Sequence, residues 1–137
     1  MGAFAIGTMM CWTATALPDL RNSPTIGPIT ESQESVISSI VTLGAAAACP
    51  LTGYCVERFG RRKTMLALTI PFVSGWLLIA FAEHIYMIYA GRFVTGYCGG
   101  AFSLAAPIFI AETADVDIRG KLSAGFDLMI TVGMLFM

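Results

Sequence analysis

The sequence has 137 residues, of which 56% are hydrophobic and 12% are charged, and its formal net charge is −1. Soluble domains usually carry about a quarter of their residues charged, so this composition argues against a soluble domain. A chain without a basic excess also gives no support to a nucleic-acid partner.

Long uncharged runs follow one another along the chain. No Asp, Glu, Lys or Arg occurs in residues 1–18, 35–56, 64–82 and 93–111, and a fifth run from Leu122 onward is interrupted by Asp127 alone. Each run approaches the roughly 17 to 25 residues that cross a bilayer as a helix. The sequence therefore predicts an all-α membrane protein, with helices at approximately 1–18, 35–56, 64–82, 86–111 and 122–137.

The two ends of the chain carry further expectations. Residues 1–18 contain no Lys or Arg, which a cleaved signal peptide would have near its start, so we predict a retained helix. The fifth apolar run continues to residue 137 without a polar flank. We therefore expect residues 1–137 to be a partial transmembrane domain of a longer protein.

The connections between the runs differ in positive charge. Segments 57–63 and 112–121 contain six of the cations, whereas segments 19–34 and 83–86 contain Arg21 alone. The positive-inside rule then predicts that 57–63 and 112–121 are cytoplasmic loops and that the N-terminus is cytoplasmic. The cations of these two loops are Arg58, Arg61, Arg62, Lys63, Arg119 and Lys121.

The first of these segments has a recognisable spacing, "GYCVERFGRRK" at residues 53–63. Gly53 offers a small surface for a neighbouring helix, and Gly60 permits a left-handed backbone at a helix end. The spacing resembles the loop between helices two and three of the major facilitator superfamily, with Glu where most members have Asp. The matching positions are Gly53, Glu57, Arg58, Gly60, Arg61 and Arg62.

A second stretch, "GRFVTGYCGGAFSLAAPIFIAETADVDIRG" at residues 91–120, resembles the signature of the sugar porter family. Residues 2–18 are also similar to the start of insect facilitated trehalose transporters. Together these resemblances cover nearly the whole chain. The positions that match the family signature are Gly91, Arg92, Gly96, Gly100, Pro107, Glu112, Arg119 and Gly120.

The resemblance implies a major facilitator fold with twelve helices in two halves and a substrate held between the halves. The chain would supply about the first five helices of the N-terminal six-helix half. The implied function is facilitative transport of a sugar, trehalose or a hexose, by alternating access at the plasma membrane, incomplete in these residues. The implied partners are a small-molecule sugar, the lipid bilayer and the missing C-terminal half, with no cofactor and no metal.

Three alternatives to this function remain open. One is a proton-coupled symporter, although residues 1–18 lack the acid that such sugar porters carry in helix one. The others are a nontransporting sugar sensor and a truncated regulatory protein. An enzyme is not supported, because the sequence shows no nucleophile motif, phosphate loop or metal-ligand cluster.

The resemblance also assigns a role to the charges of the two predicted cytoplasmic loops. They would form a cytoplasmic latch, a set of ion pairs that holds the inner side shut while the outer side is open. The alternative is that the same charges only set topology. The latch residues are Glu57, Arg58, Arg61, Arg62, Glu112 and Arg119.

Asp127 lies within the fifth apolar run, where an ionisable group is a candidate functional residue. It occupies the position at which many sugar porters have a sugar-binding Gln, and Ile130, Thr131 and Met134 share its helix face. The resemblance implies that these four residues contact the substrate. The alternative is that Asp127 pairs with a basic residue elsewhere in a longer chain.

The fourth run contains residues that we assign to helix packing. Gly96 and Gly100 permit close helix contacts, and Pro107 is expected to bend the helix. Arg92 has three open explanations: it extends to the membrane interface, it pairs with Glu83, or it contacts other helices inside the bundle.

Overall fold

A computed structural model describes residues 2–22, 24 and 29–136. Within these residues the chain forms five α-helices and no strand, which confirms the all-α prediction. By length and composition, α2, α3 and α4 are able to cross a membrane. In chain order the helices are α1 (Gly2–Arg21), α2 (Glu31–Phe59), α3 (Arg61–Ala80), α4 (Ile85–Thr113) and α5 (Val116–Leu135).

The loops at the two charged segments are shorter in the structure than we predicted. Only Gly60 separates α2 from α3, so the expected loop at 57–63 is mostly helical. Gly60 has φ 84° and ψ 153°, a conformation that is essentially restricted to glycine, and it turns the chain in a single residue. The predicted loop at 112–121 is likewise reduced to Ala114 and Asp115.

The start of α2 also differs from the prediction, at Glu31 instead of residue 35. The Thr30 backbone N–H donates to the Gln33 side-chain oxygen at 3.0 Å, which satisfies one free amide at the helix start. Glu31 and Glu34 lie in the first turn, where negative charge is favourable. Charged residues therefore extend the helix beyond its uncharged run.

α4 is the central helix, because it packs against each of the other four. Its contacts with α2 and α3 are the most extensive, whereas α5 packs mainly against α1. Most of the buried side chains of α4 are small, and a few are large. Its buried residues are Ile88, Gly91, Arg92, Thr95, Gly96, Cys98, Gly99, Ala101, Phe102, Ala105 and Ala106.

Glycines set the closest approach between α2 and α4. A Cβ added at Gly96 would collide with the Val41 backbone, and one at Gly100 would lie 2.7 Å from the Ala45 Cα. Gly53 behaves differently, since a Cβ there would have no neighbour within 4 Å. The described residues therefore supply no packing partner for Gly53, and its packing role stays a prediction.

Pro107 lies inside α4, and the helix continues past it to Thr113. Its ring is exposed, as are the neighbouring Ile108 and Phe109. This part of α4 therefore leaves its apolar side chains available to lipid or to other parts of a larger protein.

Candidate functional site

One ion pair joins the two sequence motifs. Arg61, the first residue of α3, donates through Nη2 to Oε1 of Glu112 in the last turn of α4. The side chains are 36% and 49% exposed, so water screens the attraction. Such half-exposed pairs contribute about 0 to 1 kcal/mol, which is small enough for the pair to open and close.

The other four predicted latch residues do not join this pair. Glu57, Arg62 and Arg119 are exposed and have no ion-pair partner within the part of the chain that the structure describes. Arg58 donates to the Tyr54 hydroxyl at 3.1 Å, and its guanidinium lies 6.0 Å from the Tyr54 ring centroid. Successive helical residues point about 100° apart, so neighbouring cations cannot all face Glu112.

Arg92 is enclosed by the bundle. It is 0% exposed, and its guanidinium carbon lies 3.6 Å from the centroid of the Trp12 ring. Its Nη1 donates to the Met9 carbonyl at 3.5 Å, while Nε and Nη2 have no partner among the described residues. Of the three explanations for this arginine, the structure therefore shows contact with another helix.

The stack between Arg92 and Trp12 was not predicted from the sequence. A desolvated cation over an indole ring is worth about 2 kcal/mol or more, which offsets part of the cost of burying the charge. In the sequence, the charge of Arg92 within an apolar segment indicated a buried contact, because charged residues in membrane helices usually face the bundle interior. Nothing in the local sequence identified Trp12 as the residue that it contacts.

The four predicted substrate residues lie on α5. Asp127 and Thr131 are exposed, and the Thr131 hydroxyl donates to the Asp127 carbonyl at 3.0 Å. Ile130 is half-buried, because its backbone lies against Gly7 of α1, and Met134 is 37% exposed. The carboxylate of Asp127 therefore remains accessible on the surface of the described helices.

A cavity of about 560 Å³ separates α4 from the first half of α5. Its lining is mainly apolar and includes Phe102, Ala106, Leu122 and Phe126. None of the predicted substrate residues lines it. Their helix face is therefore distinct from the one that closes this cavity.

A second cavity, of about 410 Å³, lies between α1, α2 and α4, and we call it the hydroxyl groove. Its polar side chains are Thr13 of α1, Ser38 and Thr42 of α2, and Ser103 of α4. No charged side chain is among the described residues that line it. The groove offers hydrogen-bonding groups to an uncharged molecule, a feature that we did not predict from the sequence.

His, Cys, Asp and Glu are the residues that usually supply metal ligands in proteins. Within residues 2–22, 24 and 29–136, no group of three or more His, Cys, Asp or Glu is placed to hold an ion.

The family model described as "Sugar (and other) transporter" matches residues 4–137. The chain is 35% identical over 136 residues to solute carrier family 2, facilitated glucose transporter member 8, of Bos taurus, a match that covers 98% of this chain and 28% of the relative. It is 37% identical over 123 residues to facilitated trehalose transporter Tret1 of Polypedilum vanderplanki, covering 89% and 24%, respectively.

A third relative, glucose transporter type 3 of Drosophila melanogaster, is 36% identical over 138 residues, covering 99% of this chain and 27% of the relative. The chain thus spans about a quarter of the length of these curated relatives. The family match includes both charged motifs and, apart from residues 2 and 3, all five helices. The chain belongs to the sugar transporter family, and its helices are part of a major facilitator fold.

Proposed function

We propose that the chain forms the first five helices of the N-terminal half of a facilitative sugar transporter, which moves trehalose or a hexose by alternating access. The observation that carries this proposal is the Arg61–Glu112 pair, because it links the two sequence motifs across α3 and α4. The relatives named as glucose and trehalose transporters support the choice of solutes. A C-terminal half would complete the transport pathway.

The proposed location is the plasma membrane, with the N-terminus in the cytoplasm. The α2–α3 and α4–α5 junctions carry most of the Lys and Arg residues, and the positive-inside rule places such junctions on the cytoplasmic side. The Arg61–Glu112 pair would then lie at the inner membrane surface.

The Arg61–Glu112 pair would act as the part of the latch that lies within this half. A weak pair biases an equilibrium between two conformations without fixing either one. Glu57, Arg58, Arg62 and Arg119 are exposed around the same end of the helices, where they are available to a second half. We propose that these four complete the latch through contacts with that half.

The exposed face of α5 would contribute to sugar binding. Asp127 accepts hydrogen bonds from sugar hydroxyls, and the neighbouring Thr131, Ile130 and Met134 would form the rest of the contact surface. An ionised carboxylate cannot donate a hydrogen bond, unlike the side-chain amide of the Gln found in many sugar porters. Asp127 would therefore act only as an acceptor for sugar hydroxyls.

Passive transport is proposed over proton coupling because residues 1–18 contain no acid that could exchange a proton. The buried cation Arg92 faces Trp12 and the Met9 carbonyl, with no carboxylate in ion-pair distance among the described residues. Asp127 is the observation that favours a symporter as the second candidate, since it places a titratable group within the fifth apolar run.

Uptake of radiolabelled trehalose and D-glucose by cells that express the complete gene product tests the proposal. We expect saturable uptake down the sugar gradient and no acidification of the cytosol, measured with a pH-sensitive dye. Acidification that accompanies uptake would favour the symporter. Absence of uptake of either sugar, at a verified surface level, would overturn the transporter and favour a sensor or regulatory protein.

A further inference from the structure

The hydroxyl groove lies at the middle of the long helices. Ala45 is the central residue of α2 and Gly99 is the central residue of α4, and both line the groove. A helix that spans a membrane has its central residue near the bilayer midplane. The groove is therefore at the depth at which transporters of this architecture hold their substrates.

The hydroxyls that line the groove make fewer hydrogen bonds than those of Thr15 and Ser39 on the same helices, although the buried Thr52 hydroxyl of α2, outside the groove, also has no partner among the described residues. Thr13, Ser38 and Ser103 make no side-chain hydrogen bond to any residue that the structure describes, and Thr42 reaches the Ser38 carbonyl only at 3.5 Å. Outside the groove, Thr15 donates to the Trp12 carbonyl at 3.2 Å. Ser39 donates to the Ser35 carbonyl at 2.7 Å.

This difference bears on ligand binding. Ser and Thr in helices commonly donate to a backbone carbonyl three or four residues earlier, which satisfies the hydroxyl in an apolar environment. Ser38, Thr42 and Ser103 are exposed, so their hydroxyls are accessible from outside the described helices. The hydroxyls of the groove are thus available to a ligand that can both donate and accept hydrogen bonds.

The walls of the groove are held in place by close helix contacts. A Cβ at Gly99 would lie 2.9 Å from the end of the Met9 side chain, so this side chain of α1 packs directly on α4. Arg92 donates to the Met9 carbonyl and stacks on Trp12, the residue before Thr13. These contacts hold the α1 side of the groove, including the turn that carries Thr13, against α4.

We propose that the hydroxyl groove is a second sugar-binding surface of the transporter, in which Thr13, Ser38, Thr42 and Ser103 bond to hydroxyls of the sugar. This inference rests on the proposed function for its solute. The volume of about 410 Å³ falls within the range of small-molecule sites, about 300 to 1,000 Å³. The uncharged lining matches a neutral polyol, and the groove is formed without residues of α5.

The test compares groove variants with matched variants outside the groove, in the complete gene product. The groove variants are T13V, S38A, T42V and S103A, and the controls are T15V on α1 and S39A on α2. Equilibrium binding of labelled trehalose and D-glucose to purified protein is measured beside uptake. We expect each groove variant to weaken binding and raise the apparent KM about 2- to 10-fold, with the controls unchanged.

Deoxy analogues of the bound sugar sharpen the assignment. If a sugar hydroxyl bonds to the side chain of Thr42, removing that hydroxyl weakens binding to the wild type but has little further effect on T42V. A direct bond would be overturned if, for every combination of groove variant and deoxy sugar, the loss of binding free energy equalled the sum of the two separate losses.

The binding and uptake measurements separate the two proposals. A wild type that binds sugar without transporting it contradicts the proposed function, while the groove variants still decide the binding surface. If the wild type transports sugar and the groove variants match the controls in binding and KM, only the groove proposal fails. A wild type that neither binds nor transports either sugar overturns both proposals. Groove variants that show lower surface levels but unchanged affinity overturn the groove proposal, because the hydroxyls then act in folding.

Discussion

The central helix α4 and the last helix α5 have very different environments. α4 packs against four helices and buries residues along most of its length, including the charged Arg92. α5 packs mainly against α1, and Gly133 is its buried residue in the structure described here. Substitutions at the buried positions of α4 are therefore expected to act on folding, and substitutions on the exposed face of α5 to act on contacts outside these helices.

The largest effect is expected at the α2–α4 contact. G96A adds a methyl group that collides with the Val41 backbone, and overpacking of this kind costs about 1 to 3 kcal/mol. G53A is the matched control on α2, because its methyl group meets no described atom and alanine favours a helix. The thermal stability of detergent-solubilised complete protein should fall for G96A and stay equal or rise for G53A.

Equal losses for the two glycine variants would contradict this difference. That result would show that Gly53 packs against another part of the complete protein, as the sequence pattern first indicated. If neither G96A nor G53A changed the thermal stability, α2 and α4 would have to move apart readily to accommodate the added methyl group at position 96.

An intermediate effect is expected on α5, at the exposed carboxylate. D127N keeps the size of the side chain but removes its charge, and hydrogen bonds to charged groups contribute about 1.5 to 3 kcal/mol. If Asp127 binds sugar, the apparent KM should rise about 10-fold or more, with surface expression unchanged. D117N, in the exposed first turn of α5, is the control and should leave the KM unaffected.

An unchanged KM and maximal rate in D127N would remove Asp127 from the substrate site. A loss of folded protein with unchanged affinity would instead indicate that its carboxylate pairs with a cation elsewhere in the complete chain.

The smallest effect is expected at the exposed end of α4. R61A removes the ion pair with Glu112, and an exposed pair of this kind is worth about 0 to 1 kcal/mol. We expect maximal uptake to slow by up to about fivefold, at equal surface expression and unchanged orientation. K63A, which removes an exposed cation outside the predicted latch, is the control.

A double-mutant cycle tests whether Arg61 acts through Glu112. R61A, E112A and the double variant should show similar uptake rates, because either single change already breaks the pair. Fully additive losses, or uptake equal to the wild type in all three, would contradict the latch.

The sequence alone determined the helical class and the family, because repeated uncharged runs of this length are typical of membrane-spanning helices and the two charged motifs have specific spacings. It also identified Arg61 and Glu112 as possible partners. It did not determine the helix boundaries, since charged ends can remain helical and Gly60 needs only one residue to turn.

Only the tertiary structure decided which residues meet. Arg92 and Trp12 lie on different helices, far apart in sequence, so no local pattern relates them. The four groove hydroxyls likewise come from three helices. Each is available to a ligand only where its own helix offers it no backbone carbonyl at hydrogen-bond distance. Hydrophobicity along the chain specifies that helices form, but the faces that they present to one another follow from packing in three dimensions.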